Sequence, residues 1–207
     1  MIYLSGCLPA KPELRTMMHE AGIGVLTTYR SVRFPPDDTW VWAADNGCFS
    51  PTWNEKHWAT WIEQVDPRSL FAVVPDTVGD WKQTKMNWIV HHAKVKDNRL
   101  RAAYVLQDGQ TSKWMPWDEL DAVFIGGSTQ WKLSEASRML VDEAKTRGKW
   151  VHMGRVNSLR RMMLARDWGC DSCDGTYLAF GPDINTPKLI KSLQAMHSQQ
   201  PIEIGAI

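Results

Sequence analysis

The chain has 207 residues, of which 43% are hydrophobic and 23% are charged, and its formal net charge at pH 7 is +1. A chain of this length buries one good core, so we expect a single domain over residues 1–207. The balanced charge argues against a protein that binds nucleic acid through its overall electrostatic field. No apolar run approaches the roughly 18 residues of a membrane span. Because the N-terminus lacks a basic leader before an apolar run, we expect a cytoplasmic protein with no membrane partner.

Eight short β-rich runs predict strands, and helical patterns lie between most of them. The predicted strands are 2–5, 24–28, 40–44, 70–74, 102–106, 122–125, 150–153 and 171–173. The predicted helices are 13–20, 53–64, 81–95, 134–147, 158–168 and 187–197. Connections longer than a hairpin require parallel pairing with crossovers, so the sequence predicts an α/β protein, a compact (β/α)8 barrel of the TIM type.

The stretch 29–39 contains Pro35-Pro36-Asp37-Asp38, which indicates a loop instead of a helix. The second unit of the barrel is therefore expected to be irregular. A doubly wound open sheet is the structural alternative to the closed barrel.

Polar residues follow most of the predicted strands where each strand ends. Asp45, Asp76 and Asp174 stand at three of these positions, Gln107 follows the fifth strand, and Gly126-Gly127 follows the sixth. A carboxylate at the end of a buried strand is costly to desolvate, so it is usually kept for binding or chemistry. Since a barrel gathers its strand ends at one face, we expect an enzyme with its active site there.

The four cysteines, Cys7, Cys48, Cys170 and Cys173, lie in or beside predicted buried segments. Cys170 and Cys173 form a single CxxC, but a structural zinc site needs four ligands and no second pair lies nearby. We expect small buried side chains and no metal site.

Basic and aromatic residues are unevenly distributed. Residues 144–166 include Arg155, Arg160 and Arg161 among seven basic residues and contain no acidic one. Such a run is usually a solvated face, but it is also a candidate phosphate-binding surface. Most of the 12 tryptophans should pack in the core, and a few are candidates to stack on bases.

In chain order, these residues resemble the motifs of the tRNA-guanine transglycosylase superfamily, and especially its short DpdA-like branch, which inserts 7-deazaguanine bases into DNA. Residues 45–50, Asp-Asn-Gly-Cys-Phe-Ser, resemble the family's Asp-Ser-Gly-Gly-(Phe/Tyr)-Gln. Residues 169–174, Gly-Cys-Asp-Ser-Cys-Asp, resemble its Gly-x-Asp-x-x-Asp segment. The similarity runs from about residue 41 to residue 176, over most of the chain.

The resemblance implies base exchange, in which Asp174 attacks the ribose C1′ and Asp45 is the general acid and base. It also implies that the base is read by Asp76, by Gln107 and by the backbone of Gly126 and Gly127, and is held between Phe49 and Met153. No cofactor is implied, and the co-substrate is a free 7-deazaguanine base such as 7-cyano-7-deazaguanine. A division of labour between two carboxylates also follows from the chemistry, because one carries the sugar as an ester and the other moves the proton.

The resemblance further implies that DNA is the macromolecular partner. The tRNA enzymes of the family carry a zinc site near the C-terminus, whereas no cysteine follows Asp174 in this chain. A duplex hides the glycosidic bond, so the target nucleotide must be flipped or unpaired, and Arg155, Arg160 and Arg161 are expected to hold its phosphates. The small size of the chain suggests a helper protein, and the location is the host cytoplasm if the chain is phage-encoded.

Three other functions are consistent with the same residues. A DNA or nucleoside glycosylase would release the base with water as the acceptor, since exchange and hydrolysis differ only in what attacks the intermediate. A nucleic-acid-binding module would keep the pocket without turnover. A barrel acting on an unrelated sugar phosphate would use Gly126-Gly127-Ser128 as a phosphate loop.

Overall fold

The computed structural model describes residues 1–30 and 37–198, and within them eight parallel strands close into a barrel. Each strand pairs with the next, and the last pairs with the first through registers such as Leu4 opposite Asp174. The closed barrel confirms the predicted TIM-type fold and excludes the open sheet. The strands are β1 (Ile2–Ser5), β2 (Gly24–Thr27), β3 (Trp42–Ala44), β4 (Ala72–Val73), β5 (Ala102–Leu106), β6 (Ala122–Ile125), β7 (Trp150–Met153) and β8 (Ser172–Gly175).

Six of the helices were predicted, with ends that differ by a few residues. Several begin at a side chain that accepts a backbone N–H of the first turn, as Ser134 and Ser158 do. The last helix begins at Pro182, five residues before the predicted Pro187, because Pro182 takes the first-turn position that suits proline. The helices are α1 (Pro12–Glu20), α2 (Glu55–Ile62), α3 (Trp81–Asp97), α4 (Thr129–Lys132), α5 (Glu135–Thr146), α6 (Leu159–Asp167) and α7 (Pro182–Ser198).

The predicted irregularity of the second unit lies partly on residues 31–36, which are outside the described residues. On either side of them, the described residues 28–30 and 37–41 contain no helix.

Two apolar layers build the molecule. Alternate strand residues face the barrel interior, among them Leu4, Leu26, Val73 and Val105. The residues between them face outward and pack under the helices, where Trp58 is fully buried. This alternation has a period of two. Counting on in steps of two from an inward-facing strand residue therefore identifies the side chain beyond the strand end that faces the mouth of the barrel.

The cysteines and the helices also bear on metal binding and on membrane insertion. Cys170 and Cys173 are buried and free, and burial raises the pKa of the Cys170 thiol to about 12. In residues 1–30 and 37–198, no group of three or more His, Cys, Asp or Glu side chains is placed to hold a metal ion. Among the helices of those residues, none has the length and apolar character needed to cross a membrane.

Candidate active site

A cavity of about 280 Å³ opens at the mouth of the barrel, where the carboxyl ends of the strands meet. This volume is close to the lower limit of small-molecule pockets, which is about 300 Å³. Apolar side chains such as Leu26, Val73 and Phe124 line it together with polar residues from the strand ends. The sequence-predicted residues that line it are Asp45, Phe49, Asp76, Gln107, Gly126, Gly127, Arg155 and Asp174.

Asp45 continues the inward-facing row of β3, two residues beyond Ala43. Burial raises the pKa of its carboxyl group to about 7, and the nearby charges of Asp174 and Asp76 add to this effect. At neutral pH the group therefore exchanges a proton readily, as a general acid and base must.

Asp76 is held by two amide side chains. Asn46 donates from Nδ2 to Oδ1 at 2.8 Å, and Gln107 donates from Nε2 to Oδ2 at 2.6 Å. Gln107 is fixed in turn, because its Oε1 accepts the backbone N–H of Gly79 at 2.8 Å. Burial raises the pKa of Asp76 to about 6 although the hydrogen bond from Asn46 opposes it. Each carboxylate oxygen still has a lone pair for a ligand, so the site presents an oriented acceptor pair.

Asp174 lies at the inward position of β8 and accepts two hydrogen bonds at Oδ1. One comes from the backbone N–H of Arg155 at 3.2 Å, and the other joins Oδ1 to Nε2 of His152 at 3.0 Å. His152 is fully buried, with its Nδ1 at 2.8 Å from Oγ of Ser172, which accepts the indole N–H of Trp150 at 2.9 Å. If Nε2 of His152 donates to the carboxylate and Nδ1 accepts from the Ser172 hydroxyl, every donor in this series of hydrogen bonds has an acceptor.

His152 was not among the predicted site residues. It lies in β7, on the inward-facing row that starts with Trp150. The two-residue period of the strand was the signal that could have found it.

The prediction that Met153 holds one face of a base is wrong. Met153 is fully buried and packs in the outer apolar layer between the barrel and its helices. Because His152 faces the interior, the next residue of β7 must face the opposite side of the sheet. The thioether is therefore part of the core.

Phe49 and Arg155 form the rim of the cavity. The Phe49 ring is 70% exposed, and the guanidinium carbon of Arg155 lies 5.2 Å from the centroid of that ring. Arg155 has a φ of 58°, an uncommon value for a residue with a side chain, and its guanidinium donates to the carbonyl of Gly127. In this backbone conformation, the N–H of Arg155 donates to Asp174 and the guanidinium group lies at the mouth of the barrel.

The other two predicted phosphate ligands lie outside the cavity. Arg160 and Arg161 are in the first turn of α6, beside a separate open depression that Asn157 and Asp167 also line. Arg160 is exposed and Arg161 is half-buried. The structure therefore brings only Arg155 of the three arginines into the pocket wall.

The Gly126-Gly127 turn is closely packed against the strand before it. A Cβ on Gly126 would lie 2.6 Å from a methyl group of Val105, and Gly127 has a φ of 68°. The next residue, Ser128, donates from its backbone N–H to Asp108 at 2.7 Å and from its hydroxyl at 2.5 Å. A carboxylate thus occupies the place that a phosphate would take, which argues against the sugar-phosphate alternative.

Lys132 is a second polar residue that the sequence did not single out. It is 4% exposed and its ammonium group donates to the carbonyl of Gly154, which follows β7. Burial lowers the pKa of Lys132 to about 8, and the charge of Arg155 adds to this. Lys132 ends α4, a helix of four residues, and no periodicity detects a helix that short.

No protein-family model and no curated protein matches this chain. Among the solved structures that it resembles is one described as "Native KDPGal structure", with a TM-score of 0.58 and 11% sequence identity. The alignment covers 95% of this chain and 92% of that chain. At this identity the likeness shows the fold alone, and it agrees with the α/β barrel described above.

Proposed function

We propose that this protein is a DNA-guanine transglycosylase, an enzyme that exchanges guanine in DNA for a 7-deazaguanine base. One observation carries the proposal: Asp45 and Asp174 share a small cavity with a third carboxylate, Asp76, that two amides hold in a fixed orientation. Two carboxylates suffice for glycosyl transfer, and the third supplies recognition of a base.

In this reaction Asp174 attacks C1′ of the target nucleotide and forms a glycosyl ester while the C1′–N9 bond of guanine breaks. The hydrogen bonds of Asp174 with His152 and with the backbone N–H of Arg155 are both to Oδ1, so neither occupies Oδ2, the oxygen that attacks. Asp45 donates its proton to the departing guanine and, now ionised, takes the N9 proton of the incoming base. That N9 attacks C1′ while the ester bond to Asp174 breaks, which restores the Asp174 carboxylate. The pKa of about 7 at Asp45 suits both steps.

The carboxylate of Asp76 accepts from the N1–H and the exocyclic amine of the purine. Gln107 and the backbone at Gly126 and Gly127 face the O6 and five-membered-ring side. Phe49 supplies an aromatic surface at the rim, where its exposed ring is available for stacking. This arrangement selects guanine-like bases because their two adjacent donors match the two acceptor oxygens of Asp76. The reaction needs no cofactor.

The DNA must present its target unpaired or flipped, because the cavity admits one base and lies within the barrel mouth. Arg155 lines the cavity and is a cation for the phosphate of that nucleotide. Arg160 and Arg161 extend the positive charge along α6. A helper protein that grips the DNA further from the target is compatible with this geometry.

The test is incubation of the purified protein with guanine-containing DNA and 7-cyano-7-deazaguanine, followed by nuclease digestion and mass spectrometry of the nucleosides. We expect a deazaguanosine peak that Asp174→Asn abolishes. Asp142→Asn is the matched control, because Asp142 is an exposed carboxylate on α5 outside the cavity.

Two other results would replace the proposal. Free guanine with abasic DNA would assign a hydrolytic glycosylase. Binding of DNA without any change in its nucleosides, in the unaltered protein, would assign a binding module.

A further inference from the structure

A pair of stacked tryptophans lies on the rim of the barrel next to the β4 and β5 ends. Trp81 begins α3, and Trp114 ends a short helical turn, Ser112–Trp114, that follows β5. Their ring centroids are 6.4 Å apart and their planes differ by 24°. Trp114 is 43% exposed, so one large aromatic surface of this tryptophan platform is open to solvent.

Three lysines surround the tryptophan platform. The ammonium groups of Lys85 and Lys113 lie 4.8 and 5.0 Å from the centroid of Trp114, and that of Lys82 lies 5.9 Å from the centroid of Trp81. Within residues 1–30 and 37–198, none of these lysines forms an ion pair with an acidic side chain. Three positive charges are therefore concentrated on one aromatic surface without acidic partners.

The acidic side chain nearest in sequence is already engaged. Asp80 caps α3 by accepting the backbone N–H groups of Lys82 and Gln83 at 2.9 and 3.0 Å. This carboxylate is oriented by the helix that it starts, and it forms no ion pair with the lysine side chains of the platform.

Both loops that carry the platform also carry the base-binding corner of the cavity. The Trp81 ring lies 3.5 Å from where a Cβ would stand on Gly109, two residues after Gln107. In the other loop, the N–H of Gly79 donates to Gln107, and Val78 lines the cavity. The platform is thus a continuation of the site along the rim.

We propose that the tryptophan platform binds an unpaired nucleotide of the DNA strand next to the target guanine. The base stacks on Trp114, and Lys82, Lys85 and Lys113 move from the rings to the phosphates. Exposed aromatic faces combined with unpaired ammonium groups are the usual means of holding a single strand, because every base has a π face and every linkage an anionic phosphate. The identity of the strand rests on the proposed function.

The test is fluorescence anisotropy with a labelled oligothymidylate of about ten nucleotides, which contains no guanine and so reports binding without the exchange reaction. We expect Trp114→Leu to weaken binding about 5- to 160-fold, the range for loss of one stacked base. The double variant Lys85→Ala, Lys113→Ala should make the slope of log K against log salt shallower by about 1.4, since each contact to a single strand contributes about 0.7.

The matched control is Lys188→Ala, Lys191→Ala, which removes two exposed lysines from α7. That helix follows β8, four strands from β4 in the barrel, so binding should be unchanged. Oligothymidylate binding that is absent, or that is the same for Trp114→Leu as for the unaltered protein, overturns the platform.

Oligouridylate that binds more tightly than oligothymidylate, with the same dependence on Trp114, would overturn the assignment to DNA in favour of RNA. Because the probe carries no target base, the platform is upheld by Trp114-dependent binding even if no deazaguanosine forms. Conversely, deazaguanosine formation with Trp114-independent binding refutes the platform and leaves the proposed function standing.

Discussion

The carboxyl group of Asp45 should destabilise the fold at neutral pH, and Asp45→Asn should remove that cost. In the folded protein, burial raises its pKa from the ordinary 3.8 to about 7, with further contributions from Asp174 and Asp76. Between these two pH values the folded state keeps a proton that the unfolded chain has released. Stability is therefore lost as the pH rises through this interval, and the loss is complete above about pH 7.

The size of the effect follows from the shift of about 3 units. At about 1.4 kcal/mol for each unit, the ionised carboxylate costs up to about 4 kcal/mol of unfolding free energy. Asparagine has no charge to desolvate, and its Oδ1 retains an acceptor for the backbone N–H groups that contact Asp45. The variant should match the unaltered protein near pH 4 and exceed it by up to about 4 kcal/mol near pH 8.

Urea unfolding followed by tryptophan fluorescence at several pH values between 4 and 8.5 measures this difference. Asp142→Asn, which changes an exposed carboxylate on α5, should keep the pH dependence of the unaltered protein. A gain for Asp45→Asn that is constant with pH would refute the reasoning, because it would arise from packing and not from a raised pKa.

Three further predictions concern catalysis. His152→Phe should lower kcat for base exchange about 10- to 100-fold with little change in KM, because a hydrogen bond to the carboxylate of Asp174 is lost, and His152→Gln should keep more activity. Gln107→Leu should raise the KM for the free deazaguanine about 10- to 100-fold, measured by initial rates. The substitution removes the hydrogen bond that orients the Asp76 carboxylate toward the base. In single-turnover experiments, formation of the glycosyl ester should be fastest between about pH 6 and about pH 7. Asp76 is ionised above about pH 6, and Asp45 keeps the proton that it donates below about pH 7.

The barrel was predictable because its strands leave a strong local signal. Most of the strands are continuous apolar runs, as strands buried on both faces are, and each of the eight was found within a few residues of its place. The exception in composition is β8, with the sequence Ser-Cys-Asp-Gly. Helix periodicity and N-cap residues such as Ser134 fixed most of the helices. The short helix α4 escaped, because four residues do not complete two turns.

Which strand-end residues enter the site was less predictable. Asp45, Gln107 and Asp174 each extend an inward-facing row, so the two-residue period places them. Met153 was misplaced because its row was not followed along β7, and the same step would have identified His152. Placing either residue requires only the inward and outward alternation along one strand.

Contacts between distant segments leave no such local signal. Trp81 and Trp114 stack although 33 positions of sequence separate them, and nothing in either segment names the other. The clamp of Asn46 and Gln107 on Asp76 also joins three loops and depends on closure of the barrel. Such contacts exist only once the barrel has closed, so no single segment of the sequence predicts them.

The chain of hydrogen bonds beneath Asp174 supports a chemical role for this carboxylate independently of any resemblance. Barrel interiors are usually filled by apolar side chains, yet here Ser172 and His152 are fully buried in that layer. Burying two polar side chains costs free energy unless each is hydrogen-bonded, and even then an apolar pair would hold the fold as well. The arrangement gives the fold no stability that Leu or Val would not supply, but it fixes Oδ1 of Asp174 and does not occupy Oδ2. That is what a nucleophilic carboxylate requires.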